Sequence, residues 1–189
     1  ARTALLLLAA ARYGLYEAEW MRACHWCLGR PRHCDATGYL IVDTDLVDAL
    51  LATLCQLRPY LFRRGMFLRF AYPSLAEAIL ERWSAELDRV HGDLVAFFSG
   101  QKLTSNAGST DRYRIAFRRF TEVPWQLARS GNWPALSQLL TEPSFFKEWA
   151  RALADPFGPS LWQRCRRDVL SYWMQIEGAS SIRRRDAYA

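Results

Sequence analysis

Between residues 60 and 72 the apolar side chains of this chain change period. Elsewhere they recur every three or four residues, as on one face of a helix. Here "YLFRRGMFLRFAY" carries two short aromatic runs that alternate in steps of two and meet at Arg64–Gly65. Two such runs around a glycine predict a β-hairpin, with Gly65 supplying the positive φ of the turn and Pro73 ending the second strand.

Helices are expected on both sides. Leu5, Leu6, Leu8 and Ala9 keep helical spacing until Gly14 breaks the run. A second helix, Leu15 to Cys24, has Glu17 and Glu19 near its positive end. Residues 28–44 hold Gly29, Pro31 and Gly38 and read as an irregular loop, with a short strand at Tyr39–Val42. Asp43 or Thr44 can cap a third helix carrying Leu46, Val47, Leu50, Leu51, Leu54 and Leu57. After the hairpin, Ser74-x-x-Glu77 reads as a capping box. The helical pattern then continues past a break near Ser84 to Phe98. Three helices followed by a two-stranded wing make a winged helix over residues 1–100.

The small polar stretch "SGQKLTSNAGST" suits a linker, placed at 101–110. In the next domain, 111–178, Tyr113, Phe117, Phe120, Pro124 and Leu127 share one helix face. Pro124 either kinks that helix or starts a new one. Gly131 stops it, and Asn132 caps a short helix with Leu136, Leu139 and Leu140. Pro143–Ser144 opens another with Phe145, Phe146, Trp149 and Leu153, and "DPFGP" is a further break. A last helix, about Ser160 to Glu177, carries Trp162, Cys165, Val169, Tyr172, Trp173 and Ile176, and 179–189 is a basic tail. The fold class is therefore mainly α: a winged helix, then an antiparallel arm of αα-hairpins whose bulky residues line inner faces. Trp125 and Trp173 are expected among those core rings.

The longest apolar run, Ala4–Ala11, is far short of the about 20 residues a bilayer needs, so no membrane span is expected. Its length does suit the core of a signal peptide. The net charge of +6 lies entirely after residue 100. Arg112, Arg114, Arg118 and Arg119 fall on one helix, Arg164, Arg166 and Arg167 on another, and Arg183, Arg184 and Arg185 in the tail. They form a candidate surface for RNA, an acidic protein tail or an acidic neighbouring domain; solvated helix faces are the plainer reading. Groove reading by the third helix is disfavoured, because "DTDLVDALLATLCQLRP" bears Asp43, Asp45 and Asp48 against one terminal Arg58. Arg63, Arg64 and Arg69 of the wing can touch a phosphate backbone but not read sequence.

Five cysteines at irregular spacing in a chain with ample core argue for reduced, intracellular thiols. In "CHWCLGRPRHC", Cys24 and Cys27 form a C-x-x-C pair, with His33 and Cys34 as further candidate zinc ligands and His25 as another. The alternative is half-buried thiols at a helix end. Adjacent His33 and Cys34 would have trouble pointing inward together. Nothing marks the base or oxyanion site a Cys–His nucleophile requires. His91 reads as structural, and the acidic pairs Asp43/Asp45 and Glu17/Glu19 as helix starts. No catalytic residue is assigned and no other cofactor is called for.

The order of "ALLLLAAARYGLYEAEW", "LRPYLFRRGMFLRFAYPSLAEAIL", "RVHGDLVAFF", "VPWQLARSGNWPALSQLLTEPSFF" and "DVLSYW" resembles the region after the nucleotide-binding core of NACHT-type STAND ATPases. Members of that kind include the telomerase-associated vault protein, nephrocystin-type ciliary proteins and NACHT proteins with WD or tetratricopeptide repeats. The resemblance spans about Ala4–Trp173. It implies a winged helix and helical arm that couple an upstream NACHT ATPase domain to downstream repeats. A scaffold or regulatory role in the cytoplasm or a cilium would follow. There is no G-x-x-x-x-G-K-[ST] motif in the chain, so no ATPase residue carries over. A polyanion-binding module, or an architectural subunit of a ciliary or vault-like assembly, are the alternative expectations.

Overall fold

A computed structural model describes residues 1–28, 44–65, 67–100, 109–147 and 158–187, with backbone alone at 64, 109–116, 158–165 and 181–187. The protein is mainly helical with one small antiparallel sheet. It divides into two compact units, Ala1–Phe97 and Phe98–Ala189.

In the first unit the order is α1 (Arg2–Ala10), β1 (Leu15–Tyr16), α2 (Glu17–Cys27), α3 (Thr44–Leu57), β2 (Leu61–Arg64), β3 (Phe67–Phe70), α4 (Pro73–Arg82) and α5 (Leu87–Ser99). The hairpin forms where the period changes, pairing Leu61 with Phe70 and Arg64 with Phe67, and Gly65 turns it at φ +63°. Sequence periodicity missed β1. Leu15 and Tyr16, expected at the start of a helix, instead pair with Leu68 and Phe67 and place β3 at the centre of the order β1-β3-β2.

Alternation along the strands separates two sheet faces. Leu15, Leu68 and Phe70 point into the core with Leu6, Leu7, Val90 and Leu94. That core gains α2 through Trp20, which is 1% exposed and donates its Nε1–H to the carbonyl of Ala4 at 2.8 Å.

Gly14 lies at φ +83°, and a Cβ there would sit 2.1 Å from the Leu68 carbonyl oxygen. Both the backbone conformation and the close approach to β3 therefore require glycine. Gly14→Ala is expected to destabilise the first unit by about 2–4 kcal/mol, from left-handed strain plus displacement of β3. Urea unfolding measures this; a loss below about 0.5 kcal/mol would show that the β1 junction tolerates a side chain.

Two helix starts differ from expectation. α4 begins at Pro73 with Tyr72 before it and no side-chain cap, so Ser74 lies inside the first turn and the Ser74–Glu77 box is not formed. Proline's fixed φ suits that first position and sets the start two residues early. α2 starts at Glu17, and the buried Glu19 carboxylate accepts the Tyr16 backbone N–H at 3.2 Å. The break near Ser84 is a single 3-10 turn, Ser84–Glu86.

The second unit is built from α6 (Ser109–Arg129), α7 (Trp133–Thr141), a helical turn at 143–147 and α8 (Gly158–Ala187). Pro124 is inside α6 rather than at a helix start. Gly131, at φ +64°, ends α6, and the Asn132 side chain accepts the Ala135 N–H at 3.3 Å to start α7. Phe120 of α6 meets Phe145 edge-on at 5.0 Å between ring centroids. Leu136 and Leu140 of α7 and Tyr172 and Ile176 of α8 are buried. α8 runs ten residues beyond the expected end at Glu177, so the basic segment through Arg185 continues a helix. Trp125 and Trp173 are only partly buried, against the expectation of core rings. Trp125 carries the Arg129 guanidinium over its ring at 4.8 Å, a site at the helix surface.

The expected strand at 39–42, the Asp43 cap, most of the linker, Trp149 and Leu153 lie outside the described residues, as do the side chains of Tyr113, Trp162 and Cys165. None of the helices described is long and apolar enough to cross a membrane.

Candidate interaction surface

The sheet's other face is aromatic. The pairing register sets Tyr16 opposite Phe67 and Phe62 opposite Arg69 on this side. Tyr16 and Phe67 stack with centroids 4.3 Å apart. Phe62 is 41% exposed, and the flanking Tyr60 and Tyr72 are 50% and 60% exposed. Arg63, on the core-facing side of β2, extends outward to the Glu17 carboxylate and ties the hairpin to the first turn of α2. Three large aromatic residues thus stand in water around one hairpin. On α8, Leu170 and Met174, one turn apart, are 55% and 72% exposed.

The acidic character expected of α3 is present on its surface: Asp45 and Asp48 are both exposed. No Lys or Arg occurs between Thr44 and Leu57 to offset them. Phosphate would be repelled along this helix.

The Arg cluster separates into different environments. Arg166 and Arg167 are exposed on α8, and Arg119 is half-buried on α6. Arg118 is a correction: it is fully buried, its Nη1 donates to Glu122 Oε1 at 2.8 Å, and its guanidinium lies 4.8 Å from the Phe98 ring centroid. It cannot belong to an exterior polyanion surface. Gln126 Nε2 donates to the other Glu122 oxygen at 3.0 Å, and all three residues have 0% exposure. Arg118, Glu122 and Gln126 follow one another at four-residue steps, so the three side chains pair along one stripe of α6. Sequence reasoning missed this burial: the Arg-x-x-x-Glu-x-x-x-Gln spacing signals pairing along a helix but not whether the stripe faces water. The side chains of Arg112, Arg114, Arg164, Arg183, Arg184 and Arg185 lie outside the described residues.

In the cysteine segment, Cys24 is 1% exposed and its thiol is pushed up to about 12 by burial. Cys27 is also pushed up to about 12, first by burial and then by the Asp93 carboxylate, to which it hydrogen-bonds, and by Cys24. Both are protonated thiols at neutral pH, a poor starting state for a nucleophile. Burial favours the neutral form, so their contribution to stability is present below about pH 9, the ordinary thiol value, and declines as the pH rises toward about 12. Among the described residues no group of three or more His, Cys, Asp or Glu could hold a metal. His33 and Cys34 are outside the described residues. The exposed Cys55 should react with iodoacetamide well before Cys24 and Cys27 in the native protein at pH 8. Peptide mapping by mass spectrometry checks this, and equal rates would contradict the burial of the C-x-x-C pair.

Comparison with protein-family models, curated proteins and solved structures finds no match, so the functional reading rests on the side chains described above.

Proposed function

We propose that this chain is a non-catalytic interaction module: a winged helix that docks through the aromatic face of its sheet, followed by a helical arm. The order α1-β1-α2-α3-β2-β3, with β1 pairing outside β3, is that of a winged helix and supports the first part. The observation that carries the proposal is the set of exposed rings at Tyr60, Phe62 and Tyr72. Tyr and Phe are enriched at the centres of protein interfaces, where burying a ring contributes without a large entropic cost. Arg69 on the same face selects a partner surface that is apolar with acidic groups. By the resemblance above, an upstream NACHT-type nucleotide domain is that partner, and the Leu170–Met174 stripe of α8 faces downstream repeats. The device is mechanical, passing the nucleotide domain's state to the arm.

A photo-crosslinking residue in place of Phe62 tests this in cells, with one in place of Glu81, exposed on α4, as control. Capture of a protein by position 62 and not by position 81 is the expected result. Crosslinking to RNA at position 62, or equal capture at both positions, would overturn it.

A second reading, polyanion binding by α8, keeps Arg166 and Arg167 as exposed cations but loses Arg118. Filter binding with RNA at low salt should then show an affinity that falls steeply with salt and weakens in Arg166→Gln/Arg167→Gln. No binding at low salt would remove this reading.

A further inference from the structure

α8 has two long faces. One packs on α6 and α7 and buries Tyr172 and Ile176. On the opposite side Arg167, Leu170, Met174 and Glu177 follow one another in steps of three, four and three, so they share one narrow stripe. All four are exposed. Two large apolar side chains held in water on a seated helix are a cost that a partner would remove.

The order of the stripe is self-complementary. A cation begins it, an acid ends it, and the two apolar residues lie between. Arg167 and Glu177 make no ion pair or hydrogen bond with any described residue. A second copy of α8 can be turned end over end about a two-fold axis beside position 172. Leu170 then meets the partner's Met174, Arg167 meets the partner's Glu177, and each contact occurs twice. A parallel pair would set Arg167 on Arg167 and Glu177 on Glu177, so charge selects the antiparallel arrangement.

We propose that this stripe binds a second copy of the chain, α8 against α8 and antiparallel. RNA would meet Glu177 and two apolar side chains instead of a run of cations. An acidic protein would leave Glu177 opposed. A lipid surface would have to take up both charges for the sake of two apolar residues. The helix is already formed and packed, so association carries no folding cost. The stripe is about 15 Å long, so the interface is small and the dimer weak, half formed near about 100 µM. A second copy and the downstream repeats proposed above would exclude one another, so dimerisation would mark chains whose repeats are not docked. That consequence rests on the proposed function; the dimer itself does not.

Sedimentation equilibrium of the full chain between about 5 and 500 µM tests it. A monomer–dimer equilibrium is expected. Arg167→Glu makes both cross-pairs repulsive and should weaken the dimer about tenfold or more, as should Glu177→Arg. The exchange Arg167→Glu/Glu177→Arg restores opposite charges across the seam, so its dissociation constant should return to within about threefold of the native one. Met174→Glu should leave a monomer. Every substituted side chain is exposed, so the melting temperature of the monomer should hold in all four variants. A native chain that stays monomeric throughout overturns the proposal. So does a dimer that neither Met174→Glu nor Arg167→Glu weakens, or an exchange variant no tighter than Arg167→Glu alone. None of these outcomes bears on the aromatic sheet face, which crosslinking at position 62 tests separately.

Discussion

Glu122→Leu is expected to cost about 3–5 kcal/mol, because it strands the buried Arg118 guanidinium without its carboxylate. Arginine cannot shed its proton to escape that position, and the Phe98 ring answers only part of its charge. Gln126 would lose its acceptor at the same time. The double substitution Arg118→Met/Glu122→Leu removes both charges and refills the space with apolar atoms, so most of the lost stability should return. A double-mutant cycle by urea denaturation measures the coupling. If the double variant is no better than Glu122→Leu, or the single change costs less than about 1 kcal/mol, the ladder is not the buried unit described here.

Trp20→Ala should cost about 3–5 kcal/mol, because it empties the centre of the first unit and removes the hydrogen bond from α2 to the Ala4 carbonyl of α1. Trp20→Phe keeps most of the ring volume and loses the donor, so a smaller loss of about 1–2 kcal/mol is expected. Trp125→Ala and Trp173→Ala, both at half-exposed rings, should cost only about 1–2 kcal/mol each. Thermal unfolding of the four variants ranks them. Equal losses at Trp20 and Trp125 would show that the inner face of α2 is wrongly assigned.

The features that sequence made legible were those with a local chemical cause. The hairpin followed from its period of two around Gly65, the stop at Gly131 from glycine's freedom at positive φ, and the start of α7 from the Asn132 side chain. What escaped was set by distant partners. Leu15 and Tyr16 are too short a run to show any period, and only β3 makes them a strand. Arg118, Glu122 and Gln126 look like a solvent face by composition, since nothing local distinguishes a stripe satisfied in water from one satisfied by itself. Trp125 and Trp173 were assigned inward because their size favours burial, although large rings often keep an edge in water. Of the candidate surface, the aromatic richness of 60–72 was visible, but which rings face out required the register.

The two-residue strand β1 has a kinetic consequence. Residues 61–70 can close on themselves within microseconds, as isolated hairpins do. The Leu15–Leu68 pairing must instead close a loop of about fifty residues, with two helices inside it. Until it closes, the outer edge of β3 offers unpaired amides beside Leu68 and Phe70, a template for the wrong chain. During synthesis, then, the N-terminal segment acts as the cover for an edge that emerges after it. Any change that slows its docking should appear first as lower yield and more aggregation, before any loss of the finished structure's melting temperature.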